Sequence, residues 1–224
     1  MKPYYQDDYA TIYHGDCKDI IDDIPSVDLT LIDPPYGIGQ SRVCYKQNVK
    51  NKKFNQSRLW TKDNWDDNPI ASDLLKVIID KGVHAICFGG NFYVLPRSSC
   101  WLVWDKNNGA NNFADCELAW TNLPQAVRLF KFKWSGMIQQ AGQKQIVRVH
   151  PTQKPIQVIK WCITQADKHR RADTILDAFM GSGTTLRAAK DLQRKAIGIE
   201  IEEKYCELAA KRLAQEVFNF EDIP

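Results

Sequence analysis

The chain has 224 residues, of which 44% are hydrophobic and 25% charged, and a net charge of +3. That size suits one domain with a sizeable core, and no apolar run approaches the ~20 residues of a membrane span, so an integral membrane protein is not expected. The seven cysteines are odd in number, form no C-x-x-C pair and have only four histidines for company, which disfavours both a disulfide framework and a metal site.

The N-terminal segment Met1–Asp8 carries no apolar signal-peptide core, so reduced thiols in a cytoplasmic protein are the expectation. Ala10-Thr11-Ile12-Tyr13 reads as a strand, Gly15 permits a bend, and Asp16 is then offered at the strand's end. Lys18 to Ile24 reads as a short helix. The run Val27 to Ile32 has the β-branched content of a buried strand, and it delivers Asp33-Pro34-Pro35-Tyr36. The polar segment from Gly37 to about Asn68 is too long for an ordinary connection.

Pro69 is placed to begin a helix with Leu74, Leu75, Ile78 and Ile79 on one face, and Gly82 to end it. Ala85–Phe88, closed by Gly89-Gly90-Asn91, then Trp101–Trp104 and Glu117–Trp120 read as strands. Val127–Phe132 looks extended, and Trp101 and Trp104 read as core. The Gln-rich stretch from Gln139 to Gln145 suggests no regular structure. From Pro155 the pattern is regular: a helix from Ile156 to about His169, a strand Thr174–Asp177, a glycine turn, a helix Leu186–Leu192, a strand Lys195–Glu200, and an amphipathic helix Glu202–Glu216. His14 and His169 have no evident partner and read as surface residues. Strands alternating with helices predict an α/β fold with a mostly parallel sheet.

Charge is unevenly spread. No acid occurs from Pro34 to Lys62, where Arg42, Lys46, Lys50, Lys52, Lys53, Arg58 and Lys62 lie; none occurs between Glu117 and Asp167, where Arg128, Lys131, Lys133, Lys144, Arg148, Lys154 and Lys160 lie. Tyr45, Phe54 and Trp60 interleave with the first block, and Phe130, Phe132 and Trp134 with the second. Cations among rings are what phosphate neutralisation and base stacking require.

Two motifs carry chemistry. In Asp33-Pro34-Pro35-Tyr36, neither proline has an N–H to donate to a sheet, so a carboxylate and rigid carbonyl acceptors stand together at a strand's end, suited to an amine. In Gly181-Ser182-Gly183-Thr184-Thr185, backbone N–H groups would gather at a helix N-terminus. Glu200, ending the next strand, lies where a carboxylate can accept from ribose hydroxyls. The turn is not a P-loop, because no lysine follows Gly183, and it lacks the third glycine of a dinucleotide site. A nucleoside without a pyrophosphate fits it better.

Together these residues resemble the S-adenosylmethionine-dependent DNA amino-methyltransferases. Asp33-Pro34-Pro35-Tyr36 matches that family's catalytic tetrapeptide. Asp177 to Thr185 resembles its cofactor loop, with Ala178 where proline is usual. His150-Pro151-Thr152-Gln153-Lys154-Pro155 resembles the segment preceding that loop. The catalytic motif comes first, which is the order of the permuted β class. The resemblance runs from about Ile12 to Leu213 and implies a doubly wound α/β sheet of the class I methyltransferase, Rossmann-like type with permuted motif order, in a single catalytic domain over 1–224. A basic loop at about 37–68 and a short DNA-recognition segment at about 121–149 belong to that domain.

The resemblance also implies roles. Asp33 and the Pro34 carbonyl would accept from the target amine, Pro35 completes the motif, and Tyr36 would stack on a base turned out of double-stranded DNA. For S-adenosylmethionine, Asp16 and the Cys17 backbone would receive the adenine end and Glu200 the ribose. Asp177, Phe179, Met180, Gly181, Ser182, Gly183 and Thr184 would cradle the ribose and methionine, with Thr152 and Lys154 near its carboxylate. The implied activity is methylation of adenine N6 in DNA, as in restriction–modification. Cytosine N4 is the nearest alternative, less favoured because serine is commoner than aspartate in that tetrapeptide among cytosine enzymes. An RNA amine or a protein glutamine is a further substrate class. A non-catalytic nucleic-acid-binding protein on the same fold is the alternative of another kind. So short a recognition segment suggests a brief target site or help from a second copy of the chain.

Overall fold

The computed structural model describes residues 1–39, 66, 68–109, 114–135, 138–139 and 153–215. Its strands are β1 (Tyr5–Gln6), β2 (Ala10–His14), β3 (Val27–Ile32), β4 (Gly82–Phe88), β5 (Trp101–Asp105), β6 (Cys116–Thr121), β7 (Arg128–Lys131), β8 (Trp134–Ser135), β9 (Ile138–Gln139), β10 (Thr174–Asp177) and β11 (Lys195–Glu200). Its helices are α1 (Cys17–Ile20), α2 (Ser72–Asp80), α3 (Ile156–Asp167), α4 (Thr184–Asp191) and α5 (Glu203–Leu213), with short 3-10 turns at Ile21–Asp23 and Gly90–Phe92.

Among the described residues nine strands form one sheet in the order β1-β2-β11-β10-β3-β4-β6-β5-β7. The centre, from β2 to β4, is parallel throughout. Strand β6 runs antiparallel to both β4 and β5, and β7 returns parallel to β5. Alternation along the strands sorts side chains to two faces. Ile86 and Phe88 of β4 and Ile175 of β10 pack with Val158, Ile163, Leu186 and Ala209, under α3, α4 and α5. Ala85, Cys87 and Leu176 pack on the other face with Ile20, Leu75 and Ile78, under α1 and α2. Both faces are therefore covered, as a doubly wound sheet requires.

After β3 the chain crosses by α2 to β4, and after β10 it crosses by α4 to β11 on the opposite side. The neighbours β10 and β3 thus flank the point where the winding reverses, and the crevice outside their carboxyl ends is where ligands of such sheets bind. Below that crevice Asp28 ties the two strands together: its Oδ2 accepts from the Thr174 backbone N–H at 3.0 Å and hydroxyl at 2.8 Å.

Several local expectations are corrected. Pro69 does not start a helix: it forms an isolated antiparallel bridge with Tyr36, and α2 begins at Ser72 after an extended Ala71. Gly82 is the first residue of β4, where a side chain would collide with the backbone of Thr30 and His84, and it does not close α2. His14 is exposed but partnered, its Nε2 lying 3.1 Å from the Ile201 carbonyl. The rings expected to stack on bases in the second basic block are largely core: Phe132 and Trp134 are buried, and Phe130 lies against Trp161 at 5.2 Å. The first block, Arg42 to Lys62, lies outside the described residues, as do Lys144 and Arg148 of the second.

Candidate active site

Four neighbouring strands deliver carboxylates to one edge of the sheet. Asp16 follows β2, Glu200 ends β11, Asp177 ends β10 and Asp33 follows β3. A cavity of about 300 Å³ opens there. Of the residues singled out in the sequence, Asp16, Cys17, Asp33, Pro35, Lys154, Asp177, Phe179, Met180, Gly181, Ser182, Thr184 and Glu200 line it. Pro34, Tyr36 and Gly183 are not part of that lining, and Thr152 lies outside the described residues.

The glycine loop joins β10 to α4. Gly183 takes φ +75° to start the helix, and a Cβ there would lie 2.7 Å from that of Ala209. Arg212 on α5 fixes the loop from outside, donating to the Ser182 carbonyl at 2.8 Å and its hydroxyl at 3.1 Å. Backbone donors hold the two carboxylates on this side. Glu200 Oε2 accepts from the Gly181 N–H at 2.9 Å and Oε1 from the Glu202 N–H at 2.8 Å. Asp177 Oδ1 accepts from the Phe179 N–H at 3.0 Å. Burial nevertheless favours their neutral forms, pushing both Glu200 and Asp177 up to about 7. Asp16 caps α1, accepting from the Lys18 N–H at 3.0 Å, with the Lys18 ammonium also 3.0 Å away. Burial, then Asp16, raises the neighbouring Cys17 thiol to about 11, so it stays protonated at neutral pH.

Asp33 is held differently. Its Oδ1 accepts from the Tyr36 hydroxyl at 2.5 Å, and its Oδ2 meets the Lys154 ammonium at 2.5 Å. Burial disfavours the lysine's charge, but Asp33 and Glu117 outweigh it and hold the ammonium above the ordinary lysine value. Glu117 lies 3.3 Å from Lys154 and 2.6 Å from Lys106. The Pro35 carbonyl accepts from the Tyr93 hydroxyl, whereas no described donor reaches the Pro34 carbonyl. The Tyr36 ring is boxed in: Gly89 lies so close that a Cβ would overlap it at 2.1 Å, and Phe92 stacks on it at 4.9 Å and 17°.

Glu117, Phe92, Tyr93 and Arg212 were not expected here. Glu117 is the last acid before the long acid-free stretch, and Phe92 follows Gly89-Gly90-Asn91; those are the only traces either leaves in the sequence. Among the described residues, no group of three or more His, Cys, Asp or Glu could hold a metal ion, and no helix is long and apolar enough to cross a membrane.

Comparison with known proteins agrees with this architecture. The family model described as DNA methylase matches residues 103–211. The type II methyltransferase M.HinfI of Haemophilus influenzae is 27% identical, over 100% of this chain and 73% of its own length. The type II methyltransferase M2.MboI of Moraxella bovis is 28% identical, over 95% of this chain and 91% of its own. The fold matches the crystal structure of an M1.HpyAVI–SAM complex with a TM-score of 0.52 at 24% identity, covering 92% of this chain and all of that one. It also matches the PvuII DNA methyltransferase, described as cytosine-N4-specific, with a TM-score of 0.56 at 18% identity, over 98% and 92%. With the tetrapeptide and the glycine loop converging on one cavity, these likenesses support an S-adenosylmethionine-dependent DNA amino-methyltransferase.

Proposed function

We propose that this DNA methyltransferase transfers a methyl group from S-adenosylmethionine to the exocyclic N6 amine of adenine in double-stranded DNA, within one catalytic domain. The observation that carries this reading is the position of Asp33, on the wall of the same cavity that the glycine loop and Glu200 line. A nucleoside-sized space with carboxylates for ribose hydroxyls and backbone donors beside it suits the cofactor. Bound S-adenosylmethionine supplies a methyl already activated on a sulfonium. The protein's task is then orientation and electrostatics.

The adenine amine is a poor nucleophile because its lone pair is delocalised into the ring. Hydrogen bonds accepted from both of its N–H groups favour a more tetrahedral nitrogen and release that lone pair. Asp33 supplies one acceptor. The Pro34 carbonyl, open where that of Pro35 is taken by Tyr93, supplies the other. The methylated amine is acidic and loses its proton to solvent, so no strong base is needed before attack.

Reaching this pocket requires the base to leave the duplex. Tyr36 is assigned the stacking face; Phe92 covers that ring now and is 45% exposed, so it is the first ring an incoming base meets. Glu200 is assigned the ribose, Asp16 with the Cys17 backbone the adenine end, and Asp177 to Thr184 the ribose and methionine, with Thr152 and Lys154 toward its carboxylate. The aspartate at position 33 is what favours adenine over cytosine. DNA contact is assigned to the basic segments at about 37–68 and 121–149, with a second copy of the chain helping at a brief target site. Incubation with labelled S-adenosylmethionine and duplex DNA, followed by identification of the methylated base, tests this: N6-methyladenine is expected, N4-methylcytosine would replace the adenine assignment, and no label in DNA would overturn the reading.

A further inference from the structure

Glu117 has no role in the chemistry above, yet it stands one ion pair away from Asp33. It is the second residue of β6, and the reversed direction of that strand brings it to the edge where the parallel strands end. Lys106 engages its Oε1 at 2.6 Å. Its Oε2 is buried and accepts no hydrogen bond among the described residues, although the Lys154 ammonium lies 3.3 Å from it. That same ammonium is 2.5 Å from Asp33 Oδ2 and 4.6 Å above the Phe88 ring. One buried cation therefore pairs with two carboxylates, closely with one and more loosely with the other.

Positive charge develops on the target nitrogen as it takes the methyl group. An ammonium kept on Asp33 would oppose that charge at short range, and in a buried site such repulsion is weakly screened. It would also occupy a carboxylate oxygen that the amine needs. We propose that Glu117 is a positioning residue for methyl transfer, taking the Lys154 ammonium over from Asp33 as the target amine binds. The proposal rests on the reading of Asp33 as the amine acceptor. No proton changes hands: only the close partner of the cation changes. Lys106 holds the far oxygen of Glu117 and so competes with Lys154 for its charge. Burial opposes the charge on Glu117, but Lys154 and Lys106 outweigh it and hold its carboxyl below the usual value.

Single-turnover transfer rates on duplex DNA at saturating cofactor, measured beside cofactor dissociation constants, test this. Glu117→Gln is expected to slow transfer about thirty-fold while cofactor affinity changes less than about two-fold. Adding Lys154→Met removes the misplaced cation and, with cofactor raised to saturate that variant's own dissociation constant, is expected to recover about five-fold of the loss. An ion pair with only a structural role makes the double variant as slow as Glu117→Gln or slower, and that result, or an unchanged rate in Glu117→Gln, overturns the proposal. Should Glu117→Gln also lose cofactor binding, Lys106→Met decides: it frees Glu117 to draw on Lys154, so an undiminished rate supports the proposal and a loss of about ten-fold overturns it. An active Asp33→Ala enzyme would remove the amine-acceptor reading itself. An inactive Asp33→Ala beside a fully active Glu117→Gln would remove Glu117 alone.

Discussion

Glu200 and Asp33 both stand at the carboxyl edge of the sheet, separated by β10, yet they are secured by different kinds of bond. Glu200 is gripped by two backbone N–H groups, and Asp177 by a third. Those donors are main-chain groups of the turns that follow β10 and β11, so the carboxylates move only if those turns do. Asp33 is gripped only by side-chain groups, a hydroxyl on the boxed-in Tyr36 ring and a lysine ammonium on a long stem that can turn away. On the proposed assignment the first is the cofactor wall, set before any ligand arrives, and the second the target wall. The target wall is satisfied by internal partners that a substrate can replace.

If the two walls are independent, Asp33→Ala should lower the transfer rate by on the order of a thousand-fold while leaving the cofactor dissociation constant within about three-fold. A parallel collapse of cofactor binding, read by calorimetry, would merge the two walls into one unit. Glu200→Ala should do the opposite. Removing a charged acceptor should weaken cofactor binding by on the order of a hundred-fold, with near-normal turnover once cofactor saturates.

Gly183→Ala tests the rigidity of the cofactor wall. A side chain at φ +75° that also meets Ala209 should destabilise the fold by about 1–3 kcal/mol, seen as a melting temperature several degrees lower. A silent substitution would show a loop that yields as readily as the target wall.

The pH dependence should be gentler. Glu200 and Asp177 have folded values near 7, above those of an unfolded chain. The folded protein therefore binds more protons than the unfolded one between about 4 and 7, and these groups lower stability as pH rises through that window. Ribose hydroxyls donating to ionised Glu200 reverse the preference, so cofactor affinity should rise several-fold from pH 6 to pH 8. A flat profile would show that these carboxyls are already ionised without ligand. The smallest effect is expected at the rim: Phe92→Ala should raise the KM for DNA about three- to ten-fold with little change in kcat.

The cofactor wall was the more legible part in the sequence, for the same reason that it is rigid. A glycine loop between a strand and a helix, with an acid ending the next strand, is contiguous, and local backbone geometry dictates its form. The central strands were legible too, because β3, β10 and β11 are short runs rich in Ile, Leu and Val, each leading to an acid at the sheet edge. The target wall is assembled from residues far apart in the chain: Asp33, Phe92, Glu117 and Lys154 meet only after the sheet has formed. Nothing in the spacing of Glu117 reveals that β6 is inserted between β4 and β5 in the reverse sense. Phe132 and Trp134 misled for a related reason: rings between lysines look like a nucleic-acid surface until the edge strand β7 turns them into the core.

The row of carboxylates at the sheet edge also acts as a ruler. β2, β11, β10 and β3 are consecutive neighbours, and hydrogen bonding sets each gap between strands at about 4.8 Å, so the row from Asp16 to Asp33 crosses about 14 Å. That length is fixed by the count of strands and cannot be retuned by exchanging side chains. On the proposed assignment, an enlarged methyl donor is therefore least constrained at the Asp33 end, where the row stops and exchangeable contacts begin.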